Sequence, residues 1–229
     1  MTIINNRAIV LAAVKQLIGE RNADAVDIFL HENYIQHSPQ VKDGRAGLRE
    51  AISQLKQLPA PPAGQASPIV RTIAEGDYVM LHMDIAFMGR KMAVVDLYRL
   101  EAGKLAEHWE ATQEQPVGGS LTSGTSTITA IDQTAENKQL MQRFFDQPDR
   151  ALLAPDYVNH DVMPFFPQER TVHRIIGEGN FVLVQSSGIL DGQPAVFYDI
   201  CRVTQHLVAE HWRVAQKVPS VLPHTNGMI

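Results

Sequence analysis

The chain of 229 residues has a single cysteine, little net charge and no long apolar run. One cysteine, Cys201, excludes an internal disulfide framework and suits a reducing compartment. The formal net charge of -5 comes from interleaved acids and bases without a basic stripe. This pattern argues against nucleic acid as a partner.

No segment approaches the roughly 20 apolar residues that a membrane-spanning helix needs. The apolar run Ile9–Val14 is interrupted by Lys15, and no small-residue cleavage pattern follows it. We therefore expect a soluble cytoplasmic protein with no membrane partner.

The segment Val94–Glu110 has the pattern of a β-hairpin. Residues that are β-branched or aromatic precede a turn at Glu101–Gly103, and a second extended run ends in His108 and Trp109. An acid, Asp96, lies inside the first strand. Because carboxylates are depleted in strand interiors and are costly to bury, Asp96 is a candidate functional residue.

The same pattern returns downstream, so the chain is an internal repeat. Asp199 and Glu210–Trp212 have the same internal spacing as Asp96 and Glu107–Trp109. A repeat of this length predicts two domains, each long enough to bury a core of its own.

Composition suggests where the two domains meet. The stretch 118–127 is rich in small polar residues, which is typical of a linker. We place the first domain at 1–116, the linker at 117–133, and the second domain, with an irregular tail after Pro219, at 134–229.

The first copy combines helices with strands. Apolar residues at helical spacing predict helices over Asn5–Gly19 and Ala23–Leu30, and Asp43 is a good N-cap for a third helix. From Ile69 onward the pattern predicts strands.

The second copy is shorter at one place. His160 and Arg174 are 14 residues apart, where His37 and Arg71 are 34 apart. We therefore expect that the counterpart of the third helix is missing.

Helices followed by a twisted antiparallel sheet resemble the NTF2-like α+β cone fold. Within that superfamily four motifs resemble the SnoaL-like polyketide cyclase group: Tyr34–Pro39, Glu75–His82, Val95–Arg99 and Glu107–Trp109. The resemblance covers residues 5–116 and, more weakly, 134–219. It implies two NTF2-like cone domains, the second lacking one helix.

The resemblance also implies an activity. In cyclases of this group an aspartate on the sheet is the general acid/base of an intramolecular aldol closure, with a histidine nearby and no metal or cofactor. Asp96 and His82 fall at the matching positions. The implied function is a cofactor-free cyclase or isomerase acting on a small apolar carbonyl compound.

Strand register decides whether His82 can reach Asp96. A three-residue loop at Gly89 would place the two directly across from each other, whereas a two-residue loop would place them on opposite faces. The sequence leaves this choice open.

A similar choice arises at Gly103. A three-residue loop with Gly103 in the left-handed conformation would set Asp96 opposite His108, and an even loop would set it opposite Trp109. We favour the former, because His206 holds the glycine's place in the second copy and histidine tolerates that conformation.

Four further side chains are candidates for substrate binding. They lie at the loop expected to close the open end of the cone and at the end of the hairpin: Tyr34, His37, His108 and Trp109. Glu110 is interpreted as a solvated strand end. Histidines and an acid could also hold a metal, but their spacing matches no known metal motif, so we expect none.

The second copy keeps the aspartate, as Asp199, but replaces two other residues. His82 becomes Gln185 and Glu110 becomes Arg213. We therefore expect the working cavity in the first domain and a structural role for the second. Related cone domains pair sheet to sheet, so the tandem is interpreted as a dimer fused in one chain, with a further homodimer left open.

Three functions remain in competition. The first is the enzyme described above, the second a module that carries a hydrophobic ligand without turnover, and the third a purely structural pseudo-dimer. An apolar pocket of several hundred cubic ångströms around Asp96 would favour the first two over the third.

Overall fold

The computed structural model describes residues 5–59, 66–163, 165 and 169–229. These residues form two five-stranded mixed sheets, each with helices, so the α+β fold class is confirmed. No helix in the described part of the chain is long and apolar enough to cross a membrane.

The first half carries helices on one side of its sheet. The helices are α1 (Asn6–Val14), α2 (Val26–Phe29) and α3 (Gly44–Leu55), with a π-helical turn at Lys15–Gly19 and a 3₁₀ turn at Ala23–Ala25. The strands are β1 (Leu30–Gln36), β2 (Ile69–Glu75), β3 (Tyr78–Phe87), β4 (Arg90–Glu101) and β5 (Lys104–Glu114). Their order is β1-β5-β4-β3-β2, with β1 parallel to β5.

The second half repeats this topology. Its elements are α4 (Thr134–Asp146), 3₁₀ turns at Ile131–Gln133 and Arg150–Leu152, and strands β6 (Leu153–Asn159), β7 (Thr171–Glu178), β8 (Phe181–Leu190), β9 (Gln193–Thr204) and β10 (Leu207–Lys217). The order is β6-β10-β9-β8-β7, with β6 parallel to β10. The described residues between β6 and β7 form no helix, so they hold no counterpart of α3.

Two helix predictions need correction in detail. The predicted helix ending at Leu30 stops at Phe29, and Leu30 begins β1. Asp43 does precede α3, but its carboxylate accepts hydrogen bonds from the backbone of Gln36 and the side chain of Asn226 instead of capping the helix. The carboxylate thus ties a loop and the C-terminal tail together.

Each sheet packs on its own helices with one face and on the other sheet with the opposite face. Along β4, Val94 belongs to the helix-facing core and Val95 to the core between the sheets, because alternate residues of a strand point to opposite sides. The core between the sheets takes large side chains from both halves: Ile73, Met80, Leu97, Trp109, Phe181, Leu183, Tyr198, Ile200 and Trp212.

The contacts between the halves are reciprocal. Glu75 accepts a hydrogen bond from the backbone N–H of Gly177, and Glu178 accepts one from that of Ala74, each at 2.8 Å. Two further contacts are reciprocal. The side chains of Gln113 and Gln216 accept hydrogen bonds from the backbone N–H groups of Ala215 and Thr112, respectively. The guanidinium groups of Arg71 and Arg174 lie over the rings of Trp212 and Trp109, respectively. Such reciprocity is the property of a two-fold interface.

The segment that joins the halves is part of this interface. The guanidinium of Arg71 donates to the backbone carbonyls of Thr122, Ser123 and Thr125, and Leu121 is fully buried. The polar composition predicted a spacer, but these backbone carbonyls satisfy a buried cation instead.

The C-terminal tail crosses back to the first half. Asn226 donates to the carbonyl of Gln36 at 3.0 Å, and the His224 ring donates to that of Ser38 at 2.8 Å. Met228 is buried in the core between the sheets. The last residues of the chain therefore fix the loop after β1.

Candidate functional site

The helix-facing side of β4 and β5 carries a cluster of polar side chains. Asp96 and Tyr98 lie on β4, and His108 and Glu110 lie on β5. They share one face because residues two apart on a strand point the same way. Tyr34, from β1, joins the same core and is buried.

Asp96 lies directly across from Glu110, so both predicted registers were wrong. The turn has two residues, Ala102 and Gly103, with φ of +50° and +75°, and the pairing shifts between Arg99 and Leu100. That irregularity moves the partner of Asp96 to a position that neither loop length alone would give.

His108 nevertheless lies beside Asp96, on the diagonal. Its Nε2 is 3.3 Å from Asp96 Oδ1, and the Tyr98 hydroxyl donates to Asp96 Oδ2 at 3.1 Å. The Tyr98 and His108 rings stack with centroids 4.5 Å apart. Asp96 is 8% exposed, while Glu110 is partly exposed, so the cluster reaches solvent at its Glu110 end.

The Gln36 side chain fixes the orientation of the His108 ring. Gln36 Oε1 accepts from the backbone N–H groups of His37 (3.0 Å) and Ser38 (2.9 Å), which identifies it as the amide oxygen. His108 Nδ1 lies 3.0 Å from the same oxygen and must therefore carry the proton. In the neutral ring, Nε2 then presents a lone pair to the cluster, where no hydrogen-bond partner among the described residues meets it.

Burial and the Asp96 charge favour protonated neighbours. Both effects raise the pKa of Glu110, with burial the larger. They likewise raise the pKa of Tyr34 and of Tyr98 well above the usual tyrosine value. Glu110 can therefore hold a proton more readily than a solvated glutamate, and the phenols stay neutral donors.

His82 does not accompany Asp96, and this prediction was wrong. The β3–β4 turn has two residues, so Leu81 pairs with Asp96 and His82 pairs with Val95 on the face toward the other half. There His82 Nδ1 lies 3.2 Å from a guanidinium nitrogen of Arg71. Its role is in the interface between the sheets.

His37 and Trp109 also lie on that face. Their rings stack with centroids 5.0 Å apart, and His37 bonds through Nε2 to Glu107 (2.9 Å) and through Nδ1 to the carbonyl of Gly227 (3.1 Å). Of the predicted residues, only Asp96, Tyr34 and His108 share the cluster. The predictions that Trp109 and His37 line it were wrong.

Sequence reasoning missed Glu110, Tyr98 and Gln36. A signal existed for Glu110, because it follows His108 by two residues in the same strand and must share its face. No sequence signal existed for Gln36, because its position depends on the parallel pairing of β1 with β5.

The buried position of His82 predicts that the protein loses stability in acid. Burial, and then the charges of Arg71 and His160, lower the pKa of His82 to about 3. An unfolded histidine has a pKa of about 6.5. As pH falls below that value the unfolded state takes up the proton first, so stability is lost from about pH 6.5 downward.

Glutamine at this position removes the titration. Gln185, at the matching place, accepts from Arg174 at 2.7 Å. We expect His82→Gln to keep the Arg71 contact and to relieve about 3 kcal/mol of the destabilisation at pH 4, measured by denaturant unfolding at pH 7 and pH 4. The exposed His206→Gln is the control. Equal pH dependence in both variants would contradict the assignment.

In the second half the corresponding cluster is neutralised. Asp199 is fully buried and bonds with His211 Nε2 and Arg213 Nε, both at 2.7 Å, and with Arg170 at 2.8 Å. Burial alone would raise the pKa of Asp199, but Arg213, His211 and Arg170 outweigh it and hold the pKa below its usual value. The Phe165 ring stacks on His211. This carboxylate is closed off from solvent.

Two surface grooves, of about 360 and 410 Å³, lie elsewhere on the described residues. The first lies between the second half and the C-terminal tail, and the second lies beside β2. Neither is lined by Asp96. Neither groove is therefore an apolar pocket around Asp96.

Fold and site together define an α+β protein with a mostly buried polar cluster on the helix-facing side of its first sheet. Residues 11–108 match the SnoaL-like domain family, so this part of the chain is a SnoaL-like domain. A comparison with curated proteins gave no match.

Several solved structures resemble about half of the chain. TsrD from Streptomyces laurentii is 21% identical, covers 47% of this chain and 90% of its own, and has a TM-score of 0.36. An NTF2-like protein from Burkholderia xenovorans is 23% identical, with coverages of 48% and 84% and a TM-score of 0.40. A SnoaL-like polyketide cyclase from Agrobacterium tumefaciens is 15% identical, with coverages of 47% and 91% and a TM-score of 0.36.

Proposed function

We propose that the first half is a cofactor-free acid/base enzyme of the cyclase or isomerase type, acting on a small apolar carbonyl compound. One observation carries this proposal: Asp96 and Glu110 face each other beside His108, and no lysine or arginine of the described residues forms an ion pair with either acid. Two close carboxylates without a cation share a proton most easily, which supplies one base and one acid.

The roles follow from geometry and charge. The Asp96 carboxylate takes the proton next to the substrate carbonyl, and the Tyr34 hydroxyl donates to the enolate oxygen that forms. Protonated Glu110 returns a proton to the product oxygen or carbon. The Tyr98 hydroxyl holds the Asp96 carboxylate in place by donating to Oδ2.

The surroundings favour an apolar substrate. The helix-facing core that holds Asp96 is built from aliphatic side chains on the sheet: Val79, Leu81, Met83, Val94 and Leu105. A ligand entering at the Glu110 end would meet this apolar wall and few charges, which favours small hydrophobic carbonyl compounds.

The second half is proposed to be a structural partner. Its aspartate is saturated by two arginines and a histidine, and its sheet covers the apolar face of the first sheet. It therefore supports the first half without a working site of its own.

Asp96→Asn tests the enzyme proposal. An amide cannot accept the proton, so we expect turnover of a carbonyl substrate to fall by about 10²–10⁴-fold while ligand affinity stays within a few-fold. Substrates would be found by screening small β-dicarbonyl and unsaturated ketones with the native protein. Steady-state kinetics and calorimetry would separate turnover from binding.

The matched control is Asp199→Asn, at the corresponding position of the second half. Its turnover per folded molecule should equal that of the native protein, with folding checked by circular dichroism. Unchanged turnover in Asp96→Asn would remove Asp96 from the mechanism. A ligand that binds the native protein without reacting would favour a carrier instead.

A further inference from the structure

We infer that Asp96, His108 and Glu110 form a binding site for one divalent transition-metal ion of the Zn²⁺ type. One possible ligand atom from each residue lies within 4.8 Å of the other two. An imidazole nitrogen and two carboxylate oxygens are common ligands for such ions.

The histidine has the arrangement that metal ligands usually have. His108 is 7% exposed, and its Nε2 points at Asp96 Oδ1 without an aligned hydrogen bond. Its other nitrogen donates to Gln36 Oε1, which two backbone N–H groups hold in place. Metal-bound histidines usually donate their second N–H to such a fixed acceptor, because it sets the ring's tautomer and direction.

In the second half a positive charge occupies the place that corresponds to this cluster. In the second half, Arg213 replaces Glu110 and its Nε lies 2.7 Å from Asp199 Oδ1, while His211 approaches that oxygen at 2.7 Å. In the first half the corresponding histidine stays at 3.3 Å from Asp96, and a second carboxylate replaces the guanidinium. When both acids of this mostly buried cluster are ionised they need a counter-charge, and a bound cation can supply it.

The ligand set selects the kind of ion. Mg²⁺ and Ca²⁺ prefer oxygen ligands alone, whereas an imidazole nitrogen favours Zn²⁺ and its neighbours in the transition series. Three protein ligands would leave the fourth position of a tetrahedral ion for water or another small ligand. Such an ion would take up the lone pairs that the proposed reaction needs, so metal and turnover would compete.

Zn²⁺ titration of the intact, untagged protein tests the inference by calorimetry after chelator treatment. We expect one saturable site, which is lost in His108→Gln and in Glu110→Arg, a change that introduces the side chain found in the second half. Gln36→Leu, which keeps the three ligands but removes the acceptor of the His108 Nδ1–H, should weaken binding roughly 10–100-fold. The exposed His206→Gln is the matched control and should bind as the native protein does.

The result needs no substrate, so it is independent of the proposed reaction. Saturable binding that persists unchanged in Glu110→Arg, or the absence of a saturable site in the native protein, would overturn the inference. Circular dichroism and thermal unfolding of each variant show whether it is folded. Glu110→Arg should remain folded because the introduced guanidinium can pair with Asp96 as Arg213 pairs with Asp199.

Discussion

A fragment that ends after Pro116 is expected to self-associate or aggregate, with soluble monomer at most a minor species. The reason is that the fragment exposes the apolar face of the first sheet, which the second half covers in the intact chain. Large side chains on this face are buried in the intact chain: Ile73, Met80, Val95, Leu97 and Trp109. Exposed apolar patches of this kind promote association.

Arg71, a polar residue on the same face, also loses hydrogen-bond partners in the fragment. Arg71 donates to three backbone carbonyls of the joining segment, and all three lie beyond residue 116. A fragment leaves this guanidinium without those acceptors, which adds a cost to any dimer that forms through the same face.

Sedimentation velocity of the fragment and of the intact chain would measure the effect. Mixing the fragment with residues 117–229 is the positive control, because the missing half should restore a soluble species of the intact chain's size. A fragment that remains monomeric and cooperatively folded would show that the second half is not needed as a cover.

The repeat and the strands could be predicted because they depend on periodic patterns, but the registers could not. Both hairpin turns of the first sheet that were in question begin with a non-glycine residue at positive φ, Met88 at +49° and Ala102 at +50°. Such residues adopt this conformation rarely, so the sequence pointed to the glycines alone. A turn of different length or a single bulge exchanges the faces of a whole strand.

The candidate site was predicted only in part for the same reason. The locations of Asp96 and Tyr34 follow from the fold, which the sequence motifs indicate, whereas the partners of Asp96 depend on strand register. His206, by contrast, was expected to tolerate the left-handed conformation and does so, with φ of +60°. The acid pair became visible only once the β4–β5 pairing was known.

Arg213→Met is expected to destabilise the protein by about 3–5 kcal/mol at neutral pH. Arg213 is buried, and its guanidinium bonds with Asp199 at 2.7 Å and Asp161 at 2.8 Å. Methionine keeps much of the volume but leaves both carboxylates with less counter-charge. Burial, which raises the pKa of Asp199, would then be opposed mainly by His211 and Arg170.

The pH dependence of the loss identifies its cause. In the native protein the lowered pKa of Asp199 contributes stability above the unfolded value of about 3.9, and this contribution is lost as pH falls through the folded pKa. In Arg213→Met the carboxylate is protonated more readily, so the deficit should be largest near pH 7 and should shrink toward pH 4. Urea unfolding at both pH values measures it.

Two further variants separate charge from packing. Arg90→Met removes an exposed arginine paired with Glu114 at 3.3 Å and should change stability by less than about 1 kcal/mol. Adding Asp199→Asn to Arg213→Met should recover part of the loss, because an amide carries no charge that needs a partner. If the loss were the same at pH 4 as at pH 7 and the double variant recovered nothing, lost packing rather than an uncompensated buried charge would be its cause.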